Sequence, residues 1–165
     1  MDWQPGAQLP PLVVGPITTE MLVRWTAAAE DYNPIHYDQA FAREQGLPDV
    51  IMHGPYKLAL LCRLLHRALG SQGWIRRIQV RYTGMDVPGD VLEMGGRVER
   101  LEEGPGERRA VLSLYARNRR GVETVRGEAE VVLVPQGEVD DVCRRQAPVG
   151  GKSESSGDLI DHEFS

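Results

Sequence analysis

The apolar residues in the first third of the chain recur at helical spacing and predict a helix followed by a turn. A helix that begins after Thr18 or Thr19, either of which can serve as N-cap, is predicted to run to about Asp31. Because Asn33 precedes Pro34, residue 33 is disfavoured in the α region, and a turn is expected there. The apolar face of this helix comprises Met21, Leu22, Trp25, Ala28 and Ala29.

Two further helices are predicted, and the second is expected to be central and mostly buried. Asp38 is a suitable N-cap for a short helix that ends at Gly46. Pro55 is well placed in the first turn of a longer helix, which Gly70 closes. Its apolar surface is wider than an ordinary amphipathic face. The residues on this surface are Leu58, Leu61, Cys62, Leu65 and Leu69, with Ala59, Leu60 and Leu64 beside them.

The remaining pattern predicts strands. The proline-containing run 9–16 reads as an extended lead-in with a short strand. From Trp74 the apolar period changes to two, and strands are expected through Tyr82 and at about 91–101, 109–117 and 122–134. A turn at 87–90, a loop at 102–107 and a hairpin connection at 118–121 separate them. The predicted class is α+β, with an antiparallel sheet packed around the central helix.

Composition and charge limit the chain to one ordinary globular domain. Its 165 residues are 41% hydrophobic and 26% charged, which suits a single packed core. Seven acidic and three basic residues lie in 136–165, so most of the net charge of −5 belongs to that segment and the rest carries −1. We expect a folded domain at 1–135 and a disordered acidic tail at 136–165. A nearly neutral body offers no electrostatic footprint for nucleic acid.

Several other classes find no support in the sequence. No membrane-spanning apolar run and no secretory signal are recognised, so a soluble, cytoplasmic protein is expected. Cys62 and Cys143 form no CxxC pair and are expected to be reduced. No dinucleotide or P-loop motif occurs. A metal site made of Asp31, His36 and Asp38 lacks the usual partner residues, so neither a metal nor an organic cofactor is predicted.

The densest polar cluster is the segment 31–38, Asp-Tyr-Asn-Pro-Ile-His-Tyr-Asp. A proline turn separates Asp31 from His36 and can bring the two side chains to one point. A carboxylate beside an imidazole can orient it, and the pair can hold a water as a general acid/base unit. The alternative is purely structural: Asp31 ends a helix, Asn33 makes a turn and Asp38 is a cap.

A second candidate feature is His53-Gly54-Pro55 at the start of the long helix. Unpaired N–H groups at a helix N-terminus carry partial positive charge and can stabilise an oxyanion. Pro55 has no N–H, so the donor must be Gly54 or a residue beyond Pro55. The alternative is a helix start that is satisfied by water, with His53 as a structural turn residue.

Together the two features resemble the MaoC-like hydratase/dehydratase family of hot-dog-fold proteins. The likeness covers about 9–134, and its most specific part is the segment 31–38 followed by Phe41 and by 50–54. It implies a single hot-dog fold and an enzyme that adds water to trans-2-enoyl thioesters of CoA or acyl carrier protein, or that catalyses the reverse dehydration. By the same resemblance Asp31 and His36 are the catalytic pair and Gly54 is the backbone donor. Asn33, His53 and Cys62 are expected beside the substrate, and a homodimer, or pairing with another hot-dog chain, is expected.

Three residues depart from the family pattern. Pro55 follows His-Gly where methionine is common, Lys57 places a cation one turn into the helix, and Cys62 stands where some relatives have a serine. Lys57 is expected either in a surface salt bridge or near a phosphate of the acyl carrier, and Cys62 is expected to be a small core residue. The altered helix start leaves a rival function open, a non-catalytic acyl-binding subunit of a heteromeric dehydratase. A hot-dog thioesterase is the second rival.

Overall fold

The computed structural model describes residues 1–104 and 107–134. The predicted tail at 136–165 lies outside this part of the chain. Within the described ranges, five strands and three α-helices occur in the order β1, α1, α2, α3, β2, β3, β4, β5, with a 3-10 turn between α1 and α2. Their bounds are β1 Leu12–Val14, α1 Thr19–Ala29, the 3-10 turn Pro34–His36, α2 Gln39–Glu44, α3 Gly54–Leu69, β2 Gly73–Tyr82, β3 Leu92–Gly104, β4 Glu107–Asn118 and β5 Glu123–Leu133.

The five strands form one antiparallel sheet in the order β1-β3-β4-β5-β2. Helix α3 contacts β2, β3 and β4, and its buried leucines join the inward-facing side chains of the sheet in a single core. The predicted α+β arrangement of an antiparallel sheet around a buried helix is therefore confirmed. The two edge strands of the sheet differ in length, since β1 has three residues and β2 has ten.

The helices begin at the predicted caps. Thr18 Oγ1 accepts a hydrogen bond from the Met21 N–H at 3.2 Å, and Asp38 Oδ1 accepts one from the Phe41 N–H at 3.0 Å. Gly70 ends α3 with a φ of 55°, a conformation that glycine adopts readily. The apolar face of α1 differs from the prediction. Ala28 and Ala29 are exposed, whereas Leu22 and Thr26, one turn apart, are buried.

The predicted loop at 102–107 is wrong in extent. Strand β3 continues to Gly104 and β4 begins at Glu107, in register with Glu103 opposite Arg108. On either side of Gly104-Pro105-Gly106 the residues at 102–103 and 107–109 are all charged, which hides the alternation. Opposite charges across the hairpin support the extension, with Arg108 Nε 3.1 Å from Glu103 Oε1.

No helix in the described ranges combines the length and the hydrophobicity needed to cross a membrane.

Candidate active site

A tight turn after α1 brings Asp31 and His36 together. Glu30 has a left-handed φ of 52° and turns the chain out of the helix. Asn33 Oδ1 then accepts a hydrogen bond from the Ile35 N–H at 3.2 Å and caps the 3-10 turn that Pro34 begins. In consequence His36 Nε2 lies 3.9 Å from Asp31 Oδ2. The side chain of His36 is 9% exposed and that of Asp31 is 43% exposed, so the carboxylate is the more accessible member of the pair.

One backbone carbonyl defines which nitrogen of His36 carries its proton. His36 Nδ1 lies 2.7 Å from the carbonyl oxygen of Ile51. A carbonyl oxygen only accepts, so Nδ1 holds the hydrogen and donates it. Nε2 of the neutral ring therefore presents a lone pair toward Asp31. The Ile51 N–H in turn donates to the Ile35 carbonyl at 3.0 Å, which ties the segment before α3 to the turn.

His53 lies directly behind His36. The two imidazole rings stack with centroids 3.5 Å apart and planes 20° apart. His53 is fully buried, and its Nε2 shares a hydrogen bond of 3.3 Å with Thr26 Oγ1. Burial lowers the pKa of His53 below its usual range, and the neighbouring His36 lowers it further while Asp31 opposes the shift. His53 is therefore a neutral packing surface for His36 at neutral pH.

Asp31, His36 and His53 are also close enough to be considered as a metal site, since one ligand atom from each lies within 4.8 Å of the others. This set differs from the Asp31, His36 and Asp38 set considered from the sequence, because Asp38 caps α2. The ring geometry does not suit a metal. The in-plane lone pairs of the two stacked rings lie in planes only 20° apart and offset by the stack, whereas a metal needs the lone pairs to converge on one point.

Gly54 is the first residue of α3, so its N–H has no partner within the helix. A Cβ built on Gly54 would lie 2.9 and 3.0 Å from two ring carbons of Tyr82, so a side chain here would have to displace that ring. Pro55 occupies the first turn of the helix, where the missing N–H removes no helical bond.

Lys57 contradicts both expectations stated for it. The residue is 2% exposed, and its Nζ donates to Asp86 Oδ2 and to the Gly84 carbonyl, both at 2.9 Å. It is neither a surface salt bridge nor a group that reaches a phosphate. The reason is its position on α3, on the buried face with Leu61 and Leu64, where a charge is tolerated only with a partner.

The other site residues have defined surroundings. Cys62 is half-buried and its thiol is free, and burial raises its pKa, so it is held as a neutral thiol. Asn33 is exposed and uses its side chain to cap the turn.

Four groups that contact the site residues were not predicted from the sequence, namely Thr26, the Ile51 carbonyl, Tyr82 and Asp86. Thr26 offered a signal, since it follows Leu22 by one helical turn on the side that became buried. The other three offered none, because their roles depend on contacts across 15 to 29 residues.

Comparison with known proteins identifies the family. The family model described as MaoC like domain matches residues 4–114. Fatty acid synthase subunit beta of Aspergillus oryzae is 37% identical over 111 residues, which are 65% of this chain and 5% of the relative. The chain spans 4 to 10% of the length of the curated relatives it matches.

Solved structures share the fold. The (R)-hydratase from A. caviae involved in PHA biosynthesis is 26% identical, with a TM-score of 0.71 over 80% of this chain and 97% of that one. The ChsH1–ChsH2 complex from Mycobacterium tuberculosis is 23% identical and has a TM-score of 0.70 over 78% and 96% of the chains, a likeness of fold alone. The chain has the hot-dog fold and belongs to the MaoC-like dehydratase family.

Proposed function

We propose that this protein hydrates trans-2-enoyl thioesters to (R)-3-hydroxyacyl thioesters, or catalyses the reverse dehydration. The observation that carries the proposal is the Asp31–His36 pair. Its facing atoms are 3.9 Å apart, too far for a direct hydrogen bond, and this separation leaves room for a water that would lie about 2.8 Å from both. Membership of the MaoC-like dehydratase family supports the same reaction.

The chemistry follows from the lone pair on His36 Nε2. That nitrogen and the Asp31 carboxylate orient one water, and the dyad takes a proton from it as the water oxygen attacks C3 of the enoyl group. Electron density moves through C2 to the thioester oxygen. The acid formed at the dyad then returns a proton to C2. Atoms balance without a further reactant, since the two hydrogens and the oxygen of water all enter the product.

Gly54 is proposed as the donor to the thioester oxygen. Its N–H is one of the unpaired groups at the start of α3, and the partial positive charge of the helix end favours a developing enolate. His53 is proposed to hold the His36 ring in place through the stack, while Asn33 and Cys62 are proposed to border the substrate. The acyl carrier, CoA or acyl carrier protein, is the expected partner of this site.

The main argument for the first rival function, a non-catalytic subunit, was the altered start of α3. In the structure Lys57 is paired with Asp86, and Pro55 fits the first helical turn. Neither residue therefore brings an unpaired charge to the Asp31–His36 pair. A thioesterase would release free thiol from an acyl-CoA, which a thiol assay detects.

Two substitutions test the dyad. Asp31→Asn and His36→Ala are each expected to lower the hydration rate of a trans-2-enoyl-CoA by about 10²-fold or more, since general acid–base catalysis supplies about 10²–10⁴-fold. Loss of absorbance at the enoyl thioester band measures the rate. Glu30→Gln and His66→Ala are the matched controls, because both side chains are exposed and lie outside the dyad. Unchanged turnover in both dyad variants would contradict the mechanism.

We also propose a homodimer through strand β2. Strand β2 has ten residues and is hydrogen-bonded to β5 on one side, while its other side has no neighbouring strand among the described residues. A free sheet edge of that length favours pairing with a second copy. The molecular mass in solution, measured by light scattering, distinguishes a dimer from a monomer. A monomeric mass at micromolar concentration would contradict this proposal.

A further inference from the structure

The segment 82–86, which begins at the last residue of β2, packs against the start of α3. Tyr82 is the last residue of β2, and its ring lies against Gly54 so closely that a Cβ there would meet two ring carbons at 2.9 and 3.0 Å. Side chains alternate along a strand, so Tyr82 shares its face with Val80, which packs against the core. The ring therefore lies against the residue whose backbone N–H is proposed to bind the thioester oxygen.

Buried polar contacts hold this segment against the helix. Lys57 Nζ donates to the Gly84 carbonyl and to Asp86 Oδ2, both at 2.9 Å. The Met52 N–H donates to the Asp86 carbonyl at 2.8 Å. These contacts lie on both sides of Gly54 in sequence, at residues 52 and 57. The position of the Tyr82 ring is thus tied to the residues around Gly54.

The ring is not fully enclosed by its own chain. Tyr82 is 44% exposed in the single chain, so one side of the ring touches Gly54 and the rest is left uncovered by this chain. Partial burial raises the pKa of Tyr82, which keeps the phenol uncharged at neutral pH. A group that approaches the Gly54 N–H from outside therefore passes an uncharged aromatic surface.

We propose that Tyr82 is a specificity-determining residue that forms the wall of the thioester subsite at Gly54 and disfavours substrates branched at C2. This inference rests on the proposed function. When the thioester oxygen accepts from the Gly54 N–H, C2 is only two bonds away from that oxygen. A methyl group on C2 competes with the Tyr82 ring for the same space.

The test compares 2-butenoyl-CoA with 2-methyl-2-butenoyl-CoA as substrates of the full chain. In Tyr82→Ala the ratio of kcat/KM for the branched over the unbranched substrate is expected to rise about 10-fold or more, the usual effect of one methyl group in a close-fitting pocket. Tyr82→Phe retains the ring and is expected to keep the ratio of the unsubstituted protein. Gln79→Ala is the matched control, since its exposed side chain lies on the opposite face of β2.

An unchanged ratio in Tyr82→Ala, with both substrates slowed in parallel, would overturn the inference while leaving the hydratase proposal intact. An unsubstituted protein that hydrates neither substrate would contradict the proposed function and this inference with it. If Tyr82→Ala does not fold, Tyr82→Leu gives the same comparison with a smaller loss of packing.

A second measurement tests the contact without using activity. Gly54→Ala has to displace the Tyr82 ring, so it is expected to lower the urea midpoint more in the unsubstituted background than in the Tyr82→Leu background. Equal shifts in the two backgrounds would show that the ring does not occupy this space, and would overturn the inference.

Discussion

At the scale of single residues, the tautomer of His36 is set by Ile51, which lies 15 positions further along the chain. The Ile51 carbonyl accepts the Nδ1 hydrogen at 2.7 Å and leaves Nε2 free. The carboxylate of Asp31 faces that nitrogen, and the neutral ring of His53 supports His36 from behind. A base of this kind requires the correct tautomer as much as the correct residue type.

His53 predicts a pH dependence of stability. Its pKa in the folded chain lies below the value of 6.5 for an ordinary histidine, while the unfolded chain has the ordinary value. Below about pH 6.5 the unfolded chain therefore binds more protons, so the free energy of unfolding decreases as the pH falls. The slope from this single group is at most about 1.4 kcal/mol per pH unit.

The measurement is urea denaturation between pH 7.5 and 5.5, in the unsubstituted protein and in His53→Gln. Glutamine is uncharged across this range and can still reach Thr26. The difference between the two proteins isolates the contribution of His53. Parallel curves for the two proteins would contradict the assignment of a depressed pKa to His53.

At the scale of elements, the first turn of α3 combines the proposed oxyanion donor with a buried ion pair. Lys57 and Asp86 are 2% and 0% exposed in their side chains, and Asn118 Nδ2 lies 3.5 Å from the other carboxylate oxygen. Removing one partner of such a pair strands a charge in the core, whereas neutralising both does not. The pair joins α3 to the connection between β2 and β3.

Lys57→Met is accordingly expected to lower the free energy of unfolding by about 3–5 kcal/mol. The double variant Lys57→Met/Asp86→Asn is expected to recover most of that loss, since no unpaired charge remains. Equilibrium denaturation in urea checks both values. Arg67→Met, an exposed position on the same helix, is the control for loss of a cation. A single variant no less stable than this control would refute the buried pair.

The elements themselves were largely predictable, because their signals are local. The caps Thr18 and Asp38 and the terminal Gly70 were read from residue type and spacing, and the structure bears them out. The extent of the β3–β4 hairpin was not predictable, since its pairing depends on charges that face each other across the turn.

The site was predictable only in part, for the same reason. The segment 31–38 carries both dyad residues and the turn that joins them. The predicted environment of Lys57 is wrong, because its partner Asp86 lies 29 residues away in sequence and no local sequence pattern indicates the ion pair. Tyr82 reaches Gly54 through the packing of β2 on α3, a contact that no local pattern encodes.

At the scale of the whole molecule, one hot-dog domain covers most of the chain and also nearly all of the solved (R)-hydratase it resembles. The dyad, the start of α3 and the segment that follows β2 all lie within this domain. In the curated relatives the matching region is a small part of a much longer chain. We therefore expect the residues that carry the proposed activity to lie within this domain.

The most direct test of this account is the reaction of the purified chain alone with a trans-2-enoyl-CoA. We predict loss of the enoyl thioester absorbance without release of free thiol, and a 3-hydroxyacyl-CoA product that chiral analysis identifies as the (R) enantiomer. Free thiol, an (S) product, or activity that appears only after a second hot-dog chain is added would contradict it.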